Sequence, residues 1–472
     1  MVYRRRRELA MGRLFEALAV LAIVALVTIV VITVAPGFVG SSSETMPGGL
    51  AIGATVAEPS SLFWAVGGHA VKWANSSLSA QVNATPIEVI RFGGGGDTEN
   101  ATTGISYSNN GVGTQMGNPF AGFLTFCAWR HCQAIFSVAG EINDPAIAAD
   151  TVRYVEQTLG YHPAYWSIGN EPQLWTHYNI SWNNWQVTDH VAPTPAEYAT
   201  TVQNYLIAMR AVDPTIKVIG IQSAAGGELG DPWFTALVKL DGPNLAAVAY
   251  HSYPASIQPE DGNVQSFLSN GYTYGFPNDY ETTVGEVRSA CRTCNIPVFV
   301  DEYNGALVGV DSAFVQSYPD VPVVGAAVAR ALELNVTQLS FFDLQSVANL
   351  SSFGMIAGNG APRPTYELYS VFFDHLADEY IENTTLLAGP GDIAAVVGTN
   401  GTTESLFVSS ANATVTLGLS LNGSGFPVGE AATVYTWNSL ESTPVENSFS
   451  AGTLPSLWDV PPEGVLEIDV TR

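Results

Sequence analysis

Short apolar runs alternate with amphipathic stretches from about residue 85 to residue 345, and this alternation limits the chain to very few folds. The runs read IEVIRF, QAIFSVA, AYWSIGNE, IKVIGIQS, LAAVAYHSY, PVFVDEYN and TQLSFFDL. Each is rich in β-branched or aromatic residues and lacks polar alternation, the pattern of strands covered on both faces. Between them lie segments such as DPAIAADTVRYVEQTLG and TPAEYATTVQNYLIAMRAVDP. These open on acidic, Thr or Pro start signals and close near Gly or Pro, as helices do. Seven such units, with an earlier strand at GLAIGATVA or SLFWAVGG, make eight. Eight units predict an α/β fold, a (β/α)8 TIM barrel rather than a doubly wound sheet.

After about residue 370 the pattern changes to short strands separated by Gly, Asn and Pro turns, as in DIAAVVGTN, ESLFVSSAN, ATVTLGLSLNG and GVLEIDVTR. They predict a C-terminal β-sandwich domain of roughly 100 residues, which strands from residues 45–65 are placed to complete. The expected boundaries are 1–40 for an N-terminal segment, 41–369 for the barrel and 370–472 for the sandwich.

Charge excludes several partners. The chain carries 43 acidic and 17 basic residues, net −26, and its lysines are Lys72, Lys217 and Lys239. A nucleic acid or an anionic membrane surface needs a basic footprint that is missing here. An acidic medium would protonate many of these carboxylates and bring the surface close to neutral, so the composition suggests a surface protein of an acidophile. The first 13 residues are basic, and Ala17 to Ala35 is an uncharged stretch of 19 residues. That length suffices to span a bilayer as a helix, and the flanking arginines place residue 40 onward outside. The segment is expected to be a transmembrane anchor, with a cleaved signal as the alternative; the protein is then held at the cell surface or secreted.

Ten Asn-x-Ser/Thr sequons follow, from Asn75 to Asn422, and make a glycosylated surface an expectation. Cys127, Cys132, Cys291 and Cys294 form two local pairs. Outside the cell two short-range disulfides are favoured over a zinc site, because the pairs differ in spacing and lack histidine partners.

In a barrel the reacting groups sit where strands end at the C-terminal face. Those ends carry Arg91 and Asp97, Glu141, Asn170 and Glu171, His251 and Tyr253, Asp301 and Glu302, and Asp343. Glu171 and Glu302 close the fourth and seventh strands, across the mouth from each other. Two carboxylates flanking a bond suit glycoside hydrolysis, one as proton donor and one as nucleophile. Trp175, Tyr178, Trp182 and Trp185 follow Glu171 and are candidates for a sugar-stacking wall, with core packing as the plainer reading for some. The backbone at Gly93–Gly96 is either an anion-binding nest or a flexible turn. No phosphate loop, Ser-His-Asp order or metal cluster is evident, and no cofactor is expected.

The segment IGNEP with a Glu closing the seventh strand resembles clan A of the retaining glycoside hydrolases. VIRFGGGGDTEN, AVAYHSYP and APRPTYELYSVFF extend the likeness toward glycoside hydrolase family 79, the heparanase and β-glucuronidase family. The resemblance covers most of residues 50–370. It implies Glu171 as acid/base, Asn170 as donor to the sugar 2-hydroxyl, and Glu302 as nucleophile, with Tyr253 or Tyr250 donating to it and Arg91 supporting its charge. An oligo- or polysaccharide, cleaved at its β-glycosidic bonds, would be the substrate. The chain departs from the family at Asp301, beside the expected nucleophile, and in its longer glycine run. A transglycosylase and a glycan-binding protein without activity are the alternatives.

Overall fold

The computed structural model describes residues 48–471 apart from 69–70, 72, 74–75, 94–119, 142, 176–192, 254–272, 306–311, 347–352, 377–378, 389–392, 411–414, 422–423, 426–430, 451–456 and 461–462. Eight parallel strands close into a barrel: β2 (Trp64–Gly67), β3 (Val89–Phe92), β4 (Gln133–Val138), β5 (Tyr165–Ile168), β6 (Val218–Ser223), β7 (Ala247–Ser252), β8 (Val298–Tyr303) and β9 (Leu339–Phe341). The first barrel strand is therefore the one in SLFWAVGG. The other candidate, β1 (Gly48–Ala57), leaves the barrel and enters a separate sheet.

Side-chain parity builds the barrel's interior. Residues two apart on a strand share a face. Val89, Ile135, Ala249 and Phe299 belong to an apolar cluster inside the barrel. Two residues further along the same strands stand Arg91, Ser137, His251 and Asp301, all buried. An apolar plug thus carries a polar layer on its C-terminal side, where Ser137 and Ser167 also join hydroxyls at 2.7 Å. The outer faces of the strands pack on helices that include α1 (Pro195–Arg210) and α2 (Asp320–Glu333). Helix α1 begins with a full capping box between Thr194 and Glu197.

The remaining ten described strands form one sheet, nine in a hydrogen-bonded path and one pairing beside it, where the sequence predicts a β-sandwich. β1 lies between β10 (Tyr380–Ala388), antiparallel to it, and β13 (Val415–Leu421), parallel to it. β10 leads on through β11 (Ile393–Thr399) and β12 (Thr403–Ser410) to β18 (Gly464–Thr471) and β15 (Ala432–Trp437). Apolar residues on one face of these strands, with Val460, make their own cluster. The other face, through Ala394, Val396 and Phe407, joins the barrel's core under α2. Ser409 donates to the Pro322 carbonyl at 2.7 Å, Arg330 to the Ile393 carbonyl at 3.0 Å, and Tyr318 to the Trp437 carbonyl at 2.6 Å.

Both cysteine pairs are disulfides, Cys127–Cys132 and Cys291–Cys294. No described helix is long and apolar enough to cross a membrane. The apolar stretch at 17–35 lies outside the described residues, as do the sequons at Asn75, Asn100, Asn179, Asn349, Asn412 and Asn422.

Buried carboxyls collect where the barrel meets the sheet. His375 Nδ1 lies 3.2 Å from Glu467 Oε2 and 3.1 Å from Asp469 Oδ2. Glu379 accepts from Ser405 at 3.1 Å. Burial pushes Glu379 up to about 8 and holds Glu467 well above the ordinary carboxylate range. At the foot of β5, burial and a hydrogen bond with Asp213 push Glu156 up to about 7. Hydrogen bonds to Asp469 and Glu467 push His375 up to about 10. All four bind a proton more tightly folded than unfolded, so their stabilisation is complete below the unfolded values and lost as pH rises through the folded ones. The thermal midpoint is therefore expected to fall between about pH 5 and pH 8; a midpoint that rises over that window in a pH series contradicts this account.

Candidate active site

Arg91 enters the barrel from β3 and organises its C-terminal mouth. Its guanidinium is fully buried and donates through Nη2 to Asn170 Oδ1 at 2.5 Å and to Gln222 Oε1 at 2.8 Å. Nη1 donates to Glu302 Oε1, and Nε lies 3.6 Å from Asp301 Oδ2. Gln222 Nε2 closes the ring by donating to Asp301 Oδ2 at 2.6 Å. Burial opposes charge on Arg91, but Glu302 and Asp301 outweigh it and raise its proton affinity further.

Two successive carboxylates face this guanidinium because β8 is irregular. A strand turns alternate side chains to opposite faces, so Asp301 and Glu302 would ordinarily diverge. The β7–β8 register runs Tyr250↔Val300 and then His251↔Glu302, one residue longer on β8. The same irregularity appears against β9, between Val300 and Tyr303. The extra residue re-aims the strand, as β-bulges beside active sites do, and brings Glu302 inward next to Asp301. A matching shift in β6 between Ile219 and Gln222 turns Gln222 into the site.

Glu171 arrives by a different device. After β5 the backbone turns through Gly169 at φ +71° and Glu171 at φ +48°. The left-handed region is costly for a residue with a Cβ, on the order of 1–2 kcal/mol. The Glu171 amide donates to the Gln222 carbonyl at 2.9 Å, and Trp175 Nε1 donates to the Asn170 carbonyl at 2.8 Å. These bonds and Pro172 hold the turn. Trp175 is buried, its ring edge-on to Tyr198, so it supports Asn170 from beneath the turn.

The two glutamates meet at His251. Carboxylate oxygens of Glu171 and Glu302 and a ring nitrogen of His251 all lie within 4.8 Å of one another. Tyr253 donates to Glu302 Oε2 at 2.7 Å, while Tyr250 is packed in the core beside Gly226. Burial alone would raise Glu302; the charges of His251 and Arg91 and the bonds from Arg91 and Tyr253 outweigh it and hold the carboxyl below its ordinary range. Burial and the adjacent Glu302 anion keep the Tyr253 hydroxyl protonated well above its usual range. Glu171, His251 and Glu302 together offer a donor set for a cation. Arg91 and Tyr253 already engage both Glu302 oxygens, however, and the trio has the make-up of a proton-transfer site.

The structure thus gathers Arg91, Asn170, Glu171, His251, Tyr253 and Glu302 at one mouth. Asp97 lies outside the described residues, as do Tyr178, Trp182, Trp185 and the glycines at 94–96. Glu141 follows β4 and Asp343 follows β9, the latter buried. Gln222 was missing from the expected set, although it closes an apolar run, IKVIGIQS, in the same way as the others.

Neither protein-family models nor curated protein sequences give a match to this chain. Solved structures do resemble it. A family 51 α-L-arabinofuranosidase from Bifidobacterium longum has a TM-score of 0.68 at 14% identity, covering 92% of this chain and 100% of that one. An α-L-arabinofuranosidase from Thermotoga maritima gives 0.68 at 14%, over 90% and 100%. A family 44 xyloglucanase from Paenibacillus polymyxa gives 0.65 at 10%, over 90% and 100%. At these identities the likeness shows a common fold, barrel and added sheet together.

Removing Arg91 leaves Glu302 and Asp301 buried without their cation. Arg91→Met is expected to destabilise the fold by about 3–5 kcal/mol in denaturant unfolding. Unchanged stability contradicts the role given to this residue.

Proposed function

We propose that the protein is a retaining glycoside hydrolase acting on an uncharged glycan, with Glu302 as nucleophile and Glu171 as acid/base. The observation that carries this is the approach of the two carboxylates to within 4.8 Å. Retaining enzymes hold their carboxyl groups about 5–5.5 Å apart, whereas inverting enzymes leave about 6.5–9.5 Å for a water. The fold shared with arabinofuranosidases and a xyloglucanase supports the same reaction class.

The groups divide the work by their surroundings. Glu302, ionised and held at both oxygens, attacks the anomeric carbon. The bond to the leaving oxygen breaks as Glu171 gives that oxygen its proton. Glu171 then takes a proton from water, whose oxygen attacks the same carbon and releases Glu302. Asn170 accepts from Arg91 through Oδ1 and donates from Nδ2 to Glu171 Oε2 at 3.3 Å, which sets its amide beside the acid/base, where a sugar hydroxyl would lie. Added acceptor sugars distinguish this hydrolase from a transglycosylase with the same intermediate.

The substrate class is set by charge. In the segments that lead out of the C-terminal ends of the barrel strands, the Lys and Arg residues are Lys72 and Arg363. Arg363 is engaged with Ser346 Oγ at 2.8 Å and the Gly354 carbonyl at 2.6 Å. The same segments carry Asp97, Glu99, Glu141, Asp144, Asp189, Glu260, Asp261, Asp311 and Asp343 besides Glu171. A uronate carboxylate would meet repulsion there, so the likeness to family 79 does not extend, in this reading, to its glucuronide substrates. The charge pattern of the first 40 residues supports an anchored enzyme with its barrel outside the cell.

Aryl glycosides of neutral sugars are expected to be cleaved, and an aryl β-glucuronide is not, in a panel run from about pH 2 to 7. Glu302→Gln should lower turnover of the best substrate by roughly four orders of magnitude or more. Glucuronide as the preferred substrate sinks the neutral-glycan reading, and an active Glu302→Gln enzyme sinks the nucleophile.

A further inference from the structure

His251 stands where three carboxylates converge. Its Nδ1 lies 2.9 Å from Glu171 Oε1 and 3.4 Å from Glu302 Oε2, and its Nε2 lies 3.5 Å from Asp301 Oδ1. The ring is buried. The titratable groups around it are Arg91 from β3, Glu171 after β5, Tyr253 at the end of its own strand, and Asp301 and Glu302 from β8, with the neutral amides of Asn170 and Gln222 beside them. Among the described residues neither His251 Nε2 nor Asp301 Oδ1 has a hydrogen-bond partner. Each is the ion-pair partner of the other.

A retaining reaction moves one negative charge across this site. Before attack the charge is on Glu302. Once the glycosyl ester forms, Glu302 is neutral and Glu171, its proton given up, is the anion. Arg91 is bonded to Glu302, and its other Nη to Asn170 and Gln222. His251 Nδ1 faces both glutamates. A doubly protonated ring donates Nδ1–H to whichever carboxylate holds the charge, whereas a neutral ring offers no compensating charge at either stage. A charged imidazole buried this deeply needs a counter-ion that takes no part in the bond changes, and Asp301 stands on the far side of the ring, where burial raises its carboxyl and the charges of Arg91 and His251 work against that rise. With Glu171 protonated, Arg91 and His251 then balance Asp301 and Glu302. Burial opposes charge on His251; Glu302 and Asp301 favour it before attack, and Glu171 adds to them once its proton is given up.

We propose that Asp301 is a positioning residue that holds His251 in its charged form, so that one cation serves Glu302 before attack and Glu171 after it. This rests on the retaining-hydrolase reading and adds a residue to it.

Histidine titration by NMR on the full-length protein, with 13C-labelled imidazoles and His251→Gln to identify the signal, tests this without a substrate. The wild-type His251 should stay doubly protonated to above its ordinary value of 6.5. Asp301→Asn should weaken its proton affinity at least about ten-fold, equivalent to one pH unit. The alkaline limb of kcat/KM should move down by a similar step, with KM changed less than about two-fold. A neutral His251 in the wild type at about pH 5.5 overturns the proposal even if the variant does not fold. So does an Asp301→Asn enzyme whose titration and limb stay in place. If the wild type cleaves no glycoside, the hydrolase reading fails, and the titration still decides whether Asp301 holds the charge.

Discussion

A guanidinium buried inside a barrel dictates the rest of this site. Removing a cation from water costs several kcal/mol even after relaxation, and hydrogen-bond acceptors and counter-charges close by offset that cost. Arg91 uses Nη1 and Nη2 on Glu302, Asn170 and Gln222, and keeps Asp301 at 3.6 Å from Nε. Two strands, β6 and β8, and the turn after β5 therefore contribute side chains to one ion carried by β3. That common dependence fixes the spacing of Glu302 and Asn170, and through Asn170 the turn that carries Glu171.

The backbone gives up regularity at the same places. β8 and β6 each gain a residue relative to a neighbour, and Glu171 sits in a left-handed conformation. Each departure turns a polar side chain into the mouth that a regular strand would point elsewhere. Around them the scaffold is uniform: an apolar plug below, helices outside, and a sheet sharing the barrel's core. Among the described barrel strands the register shifts fall on β6, β7 and β8 and the neighbours they pair with, the strands that bear Gln222, His251, Asp301 and Glu302.

Much of this was legible from the residues. Strands buried on both faces show as unbroken apolar runs, so seven of the eight barrel strands stand out, and their polar last residues mark the mouth. Gln222 shows the limit. It carries no charge, and only the β6 register shift reveals that it points inward. Asp301 stood out merely as a neighbour of Glu302, because period-two alternation sends adjacent residues to opposite faces; the bulge that reconciles them has no signature in PVFVDEYN. The fate of GLAIGATVA could not be read either, since an apolar strand suits a barrel or an added sheet equally. Its pairing with β10 and β13 is a long-range choice. Trp175 was grouped with a stacking wall by composition, yet its indole N–H binds the turn from below.

The acidic character of the chain and the chemistry of the mouth point the same way. Glu302 is held below its ordinary range by His251 and Arg91 against the effect of burial, which suits the proposed nucleophile, a group that must stay ionised. The most direct measurement is to trap the intermediate. An activated 2-deoxy-2-fluoro glycoside of the sugar that the protein cleaves slows the second step, and mass spectrometry of the digested enzyme then locates the bound sugar. The expected product is a single sugar esterified to the peptide that carries Glu302. A label on Glu171, or no label together with a product of inverted configuration, contradicts it.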